Sequence, residues 1–284
     1  MTETTTTRSD PPDTSGTPLL QASQVTMRFG GLVAVDSVDF DVHPGEIMGL
    51  IGPNGAGKTT FFNCLTGLYR PTSGQVMFNG AILPPKPRKV VQAGVARTFQ
   101  NIRLFANMTA LENVMVGRYC RTSSGPLTSI LRGPKFRREE RQTRERAEEL
   151  LDFVGLSKVS DNLARNLPYG DQRRLEIARA LATDPKLLLL DEPTAGMNPQ
   201  ETRQAERLIF KIRDQGLAVI TIEHDMRFIF NLCDRVLCLV QGRPLVLGTP
   251  EQVQSDPRVI EAYIGTGAEA EEDTAEQDKE GPDA

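Results

Sequence analysis

The sequence predicts an α/β fold built around a parallel β-sheet, and three observations lead to that prediction. Two short, uninterrupted apolar runs, 187–190 and 217–222, are typical of strands that are covered on both faces. Helical patterns alternate with these strands along the chain. Two β-rich runs, 20–27 and 33–42, come first, and a further strand, 46–51, then enters a glycine-rich turn followed by a helix. A doubly wound α/β core accounts for this pattern.

The composition is that of a globular protein with polar ends. The chain has 284 residues, of which 39% are apolar and 25% charged, so it can bury a sizeable core. Neither residues 1–18 nor the acidic segment 266–284 has enough large apolar side chains to offset the entropy of ordering, which predicts disordered extensions at both ends. No secretory signal and no run of about 18 apolar residues is present, so we expect the chain to stay in the cytoplasm.

The pattern becomes helical between about 101 and 163. Residues 136–153 form a charged predicted helix with an apolar stripe on one face. The stripe comprises Ala147, Leu150, Leu151 and Val154. The arginine-rich run 132–146 is interleaved with glutamates, which favours a solvated helix face over a nucleic-acid site. We therefore expect no nucleic-acid partner.

The four cysteines show no functional pattern. They are Cys64, Cys120, Cys233 and Cys238. Neither the C-x-x-C spacing of a zinc or redox site nor the density of a disulfide scaffold is present. We expect them to be small core or surface residues.

The glycine-rich turn matches the phosphate-loop pattern G-x-x-x-x-G-K-[ST] in full, from Gly52 to Thr59. Glycines let the backbone curl so that its N–H groups face phosphates, and the following helix N-terminus adds partial positive charge. Lys58 is expected to reach the β- and γ-phosphates, and Thr59 to bind Mg²⁺. The candidate nucleotide-binding residues are Gly52, Asn54, Gly55, Ala56, Gly57, Lys58, Thr59 and Thr60. The sequence therefore predicts nucleoside triphosphate binding.

Two adjacent carboxylates, Asp191 and Glu192, follow the leucine run 187–190. The carboxyl edge of a parallel sheet is where open α/β folds bind ligands. Asp191 is the expected Mg²⁺ ligand, and Glu192 is the expected general base for an attacking water. An acidic pair alone is often a surface turn, but the complete phosphate loop in the same chain favours function.

The segment after this pair has the signals of a helix start. Asn198 is the predicted N-cap, Pro199 the first helical residue and Glu201 the third, while Gly216 follows the helix end. The predicted buried stripe comprises Ala205, Leu208, Ile209 and Ile212. These features give Asn198 a structural role without a catalytic one.

Two histidines are present. His224 follows the strand 217–222, where its side chain could reach a γ-phosphate, whereas His43 lies just before Pro44 and is expected to be structural.

With these residues in place, residues 20–265 resemble the ATP-binding subunit of an ABC transporter. Gln100 in 97–100 matches the Q-loop, 167–172 the signature motif, 195–198 the D-loop and His224 the switch histidine. The resemblance implies an ATPase of the P-loop NTPase fold, with a RecA-like parallel-sheet core, an N-terminal antiparallel β subdomain and an inserted helical subdomain. The implied ATPase domain spans 19–265, with the helical subdomain at about 101–171.

The resemblance also assigns roles to site residues. Gln100 would join the Mg²⁺ and water site to the helical subdomain, and Phe29 would stack on adenine. Two subunits would dimerise head to tail, so that Gly170 and the predicted helix 171–183 face the partner's ATP. Pro168 has neither a hydroxyl nor an N–H where the family's signature usually has serine, which allows a weakly hydrolysing site.

Finer resemblance points to branched-chain amino acid importers. It rests on four stretches, 96–105, 169–179, 195–199 and 256–265. The implied partners are a second ATP-binding subunit, identical or related, transmembrane permease subunits and an external substrate-binding protein that acts indirectly. The chain would then sit at the inner face of the cell membrane. Importers of urea or short-chain amides, and more remotely soluble ABC ATPases acting on nucleic acid or the ribosome, remain alternatives.

Three apolar residues after Gln100 have two open interpretations. They are Ile102, Leu104 and Phe105. They would either line a groove that receives a cytoplasmic helix of the permease or belong to the ordinary core.

Overall fold

A computed structural model describes residues 16–121 and 134–263. These residues form ten strands. In chain order the strands are β1 (Leu20–Phe29), β2 (Leu32–Val42), β3 (Ile47–Ile51), β4 (Ser73–Phe78), β5 (Ala81–Ile82), β6 (Val95–Arg97), β7 (Leu187–Asp191), β8 (Ala218–Ile222), β9 (Arg235–Val240) and β10 (Arg243–Gly248). The predicted extensions 1–18 and 266–284 lie outside the described residues, apart from 16–18.

Eight α-helices alternate with these strands. They are α1 (Lys58–Leu65), α2 (Pro87–Ala93), α3 (Ala110–Arg118), α4 (Pro134–Phe153), α5 (Tyr169–Leu181), α6 (Pro199–Asp214), α7 (Met226–Leu232) and α8 (Pro250–Ser255). Single 3₁₀ turns occur at Tyr119–Arg121, Ser157–Val159 and Ala164–Asn166. A further helical segment, 257–263, runs to the end of the described part.

The strands form two sheets. An antiparallel sheet has the order β2-β1-β4-β5, and a six-stranded sheet has the order β10-β9-β3-β8-β7-β6. In the larger sheet β9, β3, β8, β7 and β6 are mutually parallel, while β10 pairs antiparallel with β9. The predicted parallel core and the implied antiparallel sheet are confirmed. The β9–β10 hairpin at the sheet edge was not predicted.

The central strands β3, β7 and β8 of the six-stranded sheet are buried on both faces, as the leucine run in β7 indicated. Leu188 and Leu190 pack into a cluster with α4, α5 and α6, whereas Leu187 and Leu189 pack into a second cluster shared with the antiparallel sheet and α1. Successive strand residues point to opposite faces, so an all-apolar run serves both clusters. This places the carboxyl ends of the parallel strands, and the phosphate loop, at one edge.

Two predicted helices are confirmed. In α4 the stripe Ala147, Leu150 and Leu151 is buried. In α6 the side chain of Asn198 accepts hydrogen bonds from the amides of Gln200 and Glu201, and the carboxylate of Glu201 accepts from the amide of Asn198. This capping box fixes where α6 begins.

The predicted start of α5 at Asp171 is wrong. The helix begins at Tyr169, because the amide of Gln172 already donates to the carbonyl of Pro168 at 2.9 Å. Pro168 serves as the N-cap, where its missing N–H is no disadvantage. Gly170 and Asp171 therefore lie within the first turn.

Candidate functional site

The phosphate loop connects β3 to α1, and its backbone requires glycine. Gly52, Gly55 and Gly57 have φ angles of +148°, +77° and +92°, which L side chains rarely adopt. A Cβ atom at Gly57 would lie 2.3 Å from the carbonyl oxygen of Ala34, and one at Gly52 would lie 2.1 Å from that of Leu239. The loop is thus held closely between β2 and β9, and any side chain at these glycines would displace it.

Lys58 lies inside this loop and is 7% exposed. Its Nζ donates to the carbonyl oxygens of Gly52 at 2.5 Å and Pro53 at 2.9 Å. Burial lowers the pKa of Lys58, and the nearby carboxylate of Glu192 opposes that shift. Phosphate oxygens would be stronger, charged acceptors than these carbonyls, so the position of Lys58 fits its predicted role.

A cleft of about 730 Å³ opens beside the loop, within the size range of small-molecule sites. Most of the predicted site residues line it together. They are Phe29, Asn54, Gly55, Ala56, Gly57, Lys58, Thr59, Thr60, Gln100, Glu192 and His224. The other three, Gly52, Asp191 and Gly170, lie elsewhere and are described below.

Glu192 is held by two side chains from separate loops. The Nε2 of Gln100 donates to its Oε2 at 2.8 Å, and the Nε2 of His224 lies 2.8 Å from its Oε1. The backbone of Glu192 has φ +47°, an unfavourable angle for this residue type, while its amide donates to the carbonyl of Ile222. This constrained geometry aims the carboxylate into the cleft between the residues predicted to act with it.

Asp191 is not among the residues that line the cleft. Its Oδ2 accepts from Nη2 of Arg97 at 2.7 Å, and both side chains are 9% exposed. The other guanidinium nitrogen of Arg97 donates to the side chains of Asn63 and Thr66 in and after α1. One arginine thus joins the carboxylate pair to the helix that follows the phosphate loop.

The residues predicted for Mg²⁺ offer suitable donors. Thr59 contributes a hydroxyl and Asp191 a carboxylate. Gln100 contributes its side-chain carbonyl oxygen, since its side-chain nitrogen already donates to Glu192. Magnesium prefers such oxygen ligands and usually uses one or two carboxylates together with phosphates and water. No group of three or more His, Cys, Asp or Glu side chains that could hold a metal is found in residues 16–121 and 134–263. The donor set fits a metal that arrives with a nucleotide.

Phe29 stands at the rim of the cleft, at the end of β1. It is 43% exposed and packs edge-to-face against Tyr69, with ring centroids 5.4 Å apart. Its partial exposure fits the predicted contact with a planar base.

Gly170 lies apart from this cleft, in the first turn of α5. It is buried, and a Cβ there would lie 2.8 Å from the Oε1 of Glu201. The neighbouring Tyr169 is 43% exposed, and its hydroxyl accepts from Arg173. The signature segment of this chain therefore does not contribute to its own cleft.

Sequence patterns did not identify several residues around the site. Val33, Ala34 and Gln241 line the cleft but belong to no motif. Arg97 was noted within a family stretch but without a role. Tyr263 was likewise without one, although its hydroxyl accepts a hydrogen bond from the amide of Gly52 at 2.7 Å.

The remaining candidates divide between surface and core. Leu104 packs against the helical core, whereas Phe105 is 47% exposed and lies beside Arg179. Ile102 is half-buried.

His43 is buried beside Asp41, which is the structural role expected for it. All four cysteines fall within the described residues, and none of them forms a disulfide bond there.

Comparison with known proteins agrees with this geometry. The family model "ABC transporter" matches residues 35–195, and "Branched-chain amino acid ATP-binding cassette transporter" matches residues 243–269. The chain is 46% identical over 250 residues to the high-affinity branched-chain amino acid transport ATP-binding protein LivG of Escherichia coli K12, covering 87% of this chain and 98% of LivG. BraF of Pseudomonas aeruginosa, with the same description, matches with the same identity and coverage.

A solved structure is also similar. The ADP conformation of MJ1267, an ATP-binding cassette of an ABC transporter, has a TM-score of 0.77 and 32% identity, covering 88% of this chain and 100% of that one. No helix in the described part of this chain is both long and apolar enough to span a bilayer. The chain belongs to the ABC transporter family and is one of its ATP-binding, ATP-hydrolysing cassettes.

Proposed function

We propose that this chain uses Mg²⁺-dependent ATP hydrolysis to power the import of branched-chain amino acids through partner permease subunits. The observation that carries the substrate class is the 46% identity to LivG over 87% of the chain. The separate match of residues 243–269 to a branched-chain amino acid cassette model supports the same class.

The chemistry falls to Glu192. As a carboxylate it accepts a proton from the water that attacks the γ-phosphate, and Gln100 and His224 hold it for that task at 2.8 Å each. A carboxylate can only accept hydrogen bonds, so His224 donates from Nε2. Lys58 and the loop amides hold the phosphates. Thr59, Asp191 and Gln100 would hold Mg²⁺, which supplies positive charge to offset that of the phosphates when bound.

The site is completed by a second cassette. Gly170 and α5 lie away from the chain's own cleft, which supports the head-to-tail arrangement in which this helix start faces the partner's ATP. The second cassette is either another copy or a related subunit. Pro168 supplies no hydroxyl there, so the helix amides would carry the contact.

The permease would dock near Phe105. A second cavity, of about 260 Å³, is lined by residues of α2, β6, α3 and α5 together with Phe105. Its apolar lining includes Phe105, Val91 and Val116, and its charged lining comprises Arg97, Glu176 and Arg179. Such a groove suits an amphipathic helix from a membrane subunit. This contact would place the chain at the inner face of the membrane, with the external substrate-binding protein acting only through the permease.

Reconstitution tests the whole proposal. The chain would be combined in liposomes with its permease subunits and binding protein, and uptake of labelled leucine, isoleucine and valine compared with uptake of urea and acetamide. We expect ATP-dependent uptake of the amino acids only, and none with Glu192→Gln. Uptake of urea or acetamide alone would contradict the substrate class, and uptake that does not need ATP would contradict the motor role.

A further inference from the structure

Gly52, the first residue of the phosphate loop, is bonded through both of its backbone polar groups to side chains. Its amide donates to the hydroxyl of Tyr263 at 2.7 Å, and its carbonyl accepts from Nζ of Lys58 at 2.5 Å. Tyr263 is 211 positions further along the chain. The lysine of the phosphate loop and a tyrosine from a distant part of the chain therefore meet at one glycine.

Gly52 has little freedom to move in response to these bonds. Its φ of +148° and the closeness of the Leu239 carbonyl, 2.1 Å from where a Cβ would be, hold it against β9. The amide of Gly52 lies in the Ile51–Gly52 peptide plane and its carbonyl in the Gly52–Pro53 plane. The bonds to Tyr263 and Lys58 therefore hold the two peptide units on either side of the Gly52 Cα, where the loop that carries the Lys58 ammonium begins.

Tyr263 is itself well anchored. It packs against the helical core cluster, and its segment 257–263 is fastened by Val259, which is 5% exposed. At the start of this segment the carboxylate of Asp256 accepts from the amide of Arg258 at 2.9 Å and pairs with its guanidinium. Burial raises the pKa of Tyr263, so the phenol stays protonated at neutral pH. The hydroxyl is a neutral, stationary acceptor.

We propose that Tyr263 is a positioning residue of the nucleotide site, which holds Gly52 and thereby sets the phosphate loop and Lys58 in the geometry that binds the phosphates. Tyr263 lies outside the lining of the cleft and acts only through Gly52. Residues 243–269, matched by the branched-chain amino acid cassette model, thus include a residue that acts on the ATP site from outside its cleft. The inference rests on nucleotide binding at the phosphate loop and is independent of the transported substrate.

The test is Tyr263→Phe in the full chain, which removes one oxygen and keeps the ring. Among the described residues, the Tyr263 hydroxyl is the only acceptor seen for the Gly52 amide, so its removal leaves a buried N–H without a partner. We therefore expect the Kd for ATP to rise about tenfold. Because the effect passes through the loop, the Kd for inorganic tripolyphosphate should rise by the same factor. Tyr119→Phe, at a tyrosine that is 61% exposed and outside the cleft, is the matched control and should change neither constant.

A second measurement separates positioning from simple loss of stability. Amide hydrogen exchange in the peptide containing Gly52 should become faster in Tyr263→Phe under conditions where the rest of the β3 and α1 backbone keeps its protection. Unchanged affinity for ATP overturns the proposal, whether or not exchange at Gly52 becomes faster. Weaker ATP binding with unchanged tripolyphosphate binding also overturns it, since the effect would then lie at the base. Failure of the unaltered chain to bind ATP would instead contradict the proposed function.

Discussion

Arg97 and Asp191 form an ion pair across 2.7 Å at the base of the nucleotide site, with both side chains 9% exposed. The guanidinium also lies over the rings of Phe62 and Phe99, each about 5.2 Å away. This arginine therefore connects the helix after the phosphate loop, the carboxylate expected to bind Mg²⁺ and the Q-loop.

Replacing Arg97 by methionine should strongly destabilise the protein. The change leaves a buried carboxylate without its partner, for which a loss of about 3–5 kcal/mol in the free energy of unfolding is expected. Urea denaturation measures this. The matched control is Arg144→Met. Arg144 and its partner Glu148 are 59% and 51% exposed, so this substitution should change the free energy of unfolding little. Equal losses in the two variants would contradict the importance assigned to the pair.

Glu192→Gln should stop hydrolysis without preventing ATP binding. The amide cannot take the proton from water, so the turnover number should fall by about 10²–10⁴ or more, while the residues that hold the phosphates are untouched. Phosphate release and equilibrium ATP binding measure the two effects, and size-exclusion chromatography with ATP should reveal a trapped dimer. Glu149→Gln on the exposed face of α4 is the control. Undiminished turnover in Glu192→Gln would remove Glu192 from the role of base.

Phe29→Ala should weaken the binding of ATP but not that of inorganic tripolyphosphate. Stacking of a base on an aromatic side chain contributes about 1–3 kcal/mol, and a ligand without a base cannot lose it. Isothermal titration calorimetry with both ligands gives the comparison. Phe105→Ala, which also removes an exposed phenyl ring but lies outside the cleft, should affect neither ligand. A parallel loss of both affinities would indicate that Phe29 supports the loop and not the base.

Asn198→Ala should lower stability by about 1 kcal/mol, because the amides of Gln200 and Glu201 lose their side-chain acceptor at the start of α6. Thermal unfolding measures the change. Asn198→Asp keeps an acceptor oxygen and adds negative charge at a helix N-terminus, so it should be at least as stable as the unaltered protein. If alanine and aspartate lower the stability equally, capping is not what this side chain contributes.

The cysteines should differ sharply in their reactivity towards iodoacetamide. Burial raises the pKa of Cys64 and of Cys238 to about 11, and at pH 8 a thiol with that pKa is only about 0.1% thiolate. Cys120 is half-buried and should be modified first, as mass spectrometry of tryptic peptides would show. All four should react after unfolding in guanidinium. Modification of Cys64 in the folded protein as fast as that of Cys120 would contradict this order.

The sequence was most informative where a function or a cap requires particular residues at fixed spacing. The phosphate loop follows from Gly52 to Thr59 alone, because only glycine tolerates the backbone angles and close contacts found there. The buried strand β7 and the helix N-cap at Asn198 could likewise be predicted from the residues beside them. These features depend on neighbours within a few positions.

Contacts between distant segments could not be predicted in the same way. Nothing in the sequence around Arg97 indicates its ion pair, because its partner Asp191 is 94 positions away and is brought close only by the fold. The pairing of Tyr263 with Gly52 has the same origin. The start of α5 was placed two residues too late, because no N-cap side chain marks the true start and Pro168 occupies the N-cap position instead.

The position of Tyr263 also has a consequence for biosynthesis. The ribosome completes the phosphate loop and α1 long before it adds the tyrosine that bonds Gly52, and before Gly242, whose amide donates to the carbonyl of Ala56 within the loop. A nascent chain that has already made the loop therefore lacks two of the contacts that hold it. Chains stalled or cleaved before the 257–263 segment would contain the whole phosphate loop but lack the hydrogen bond between the Gly52 amide and Tyr263.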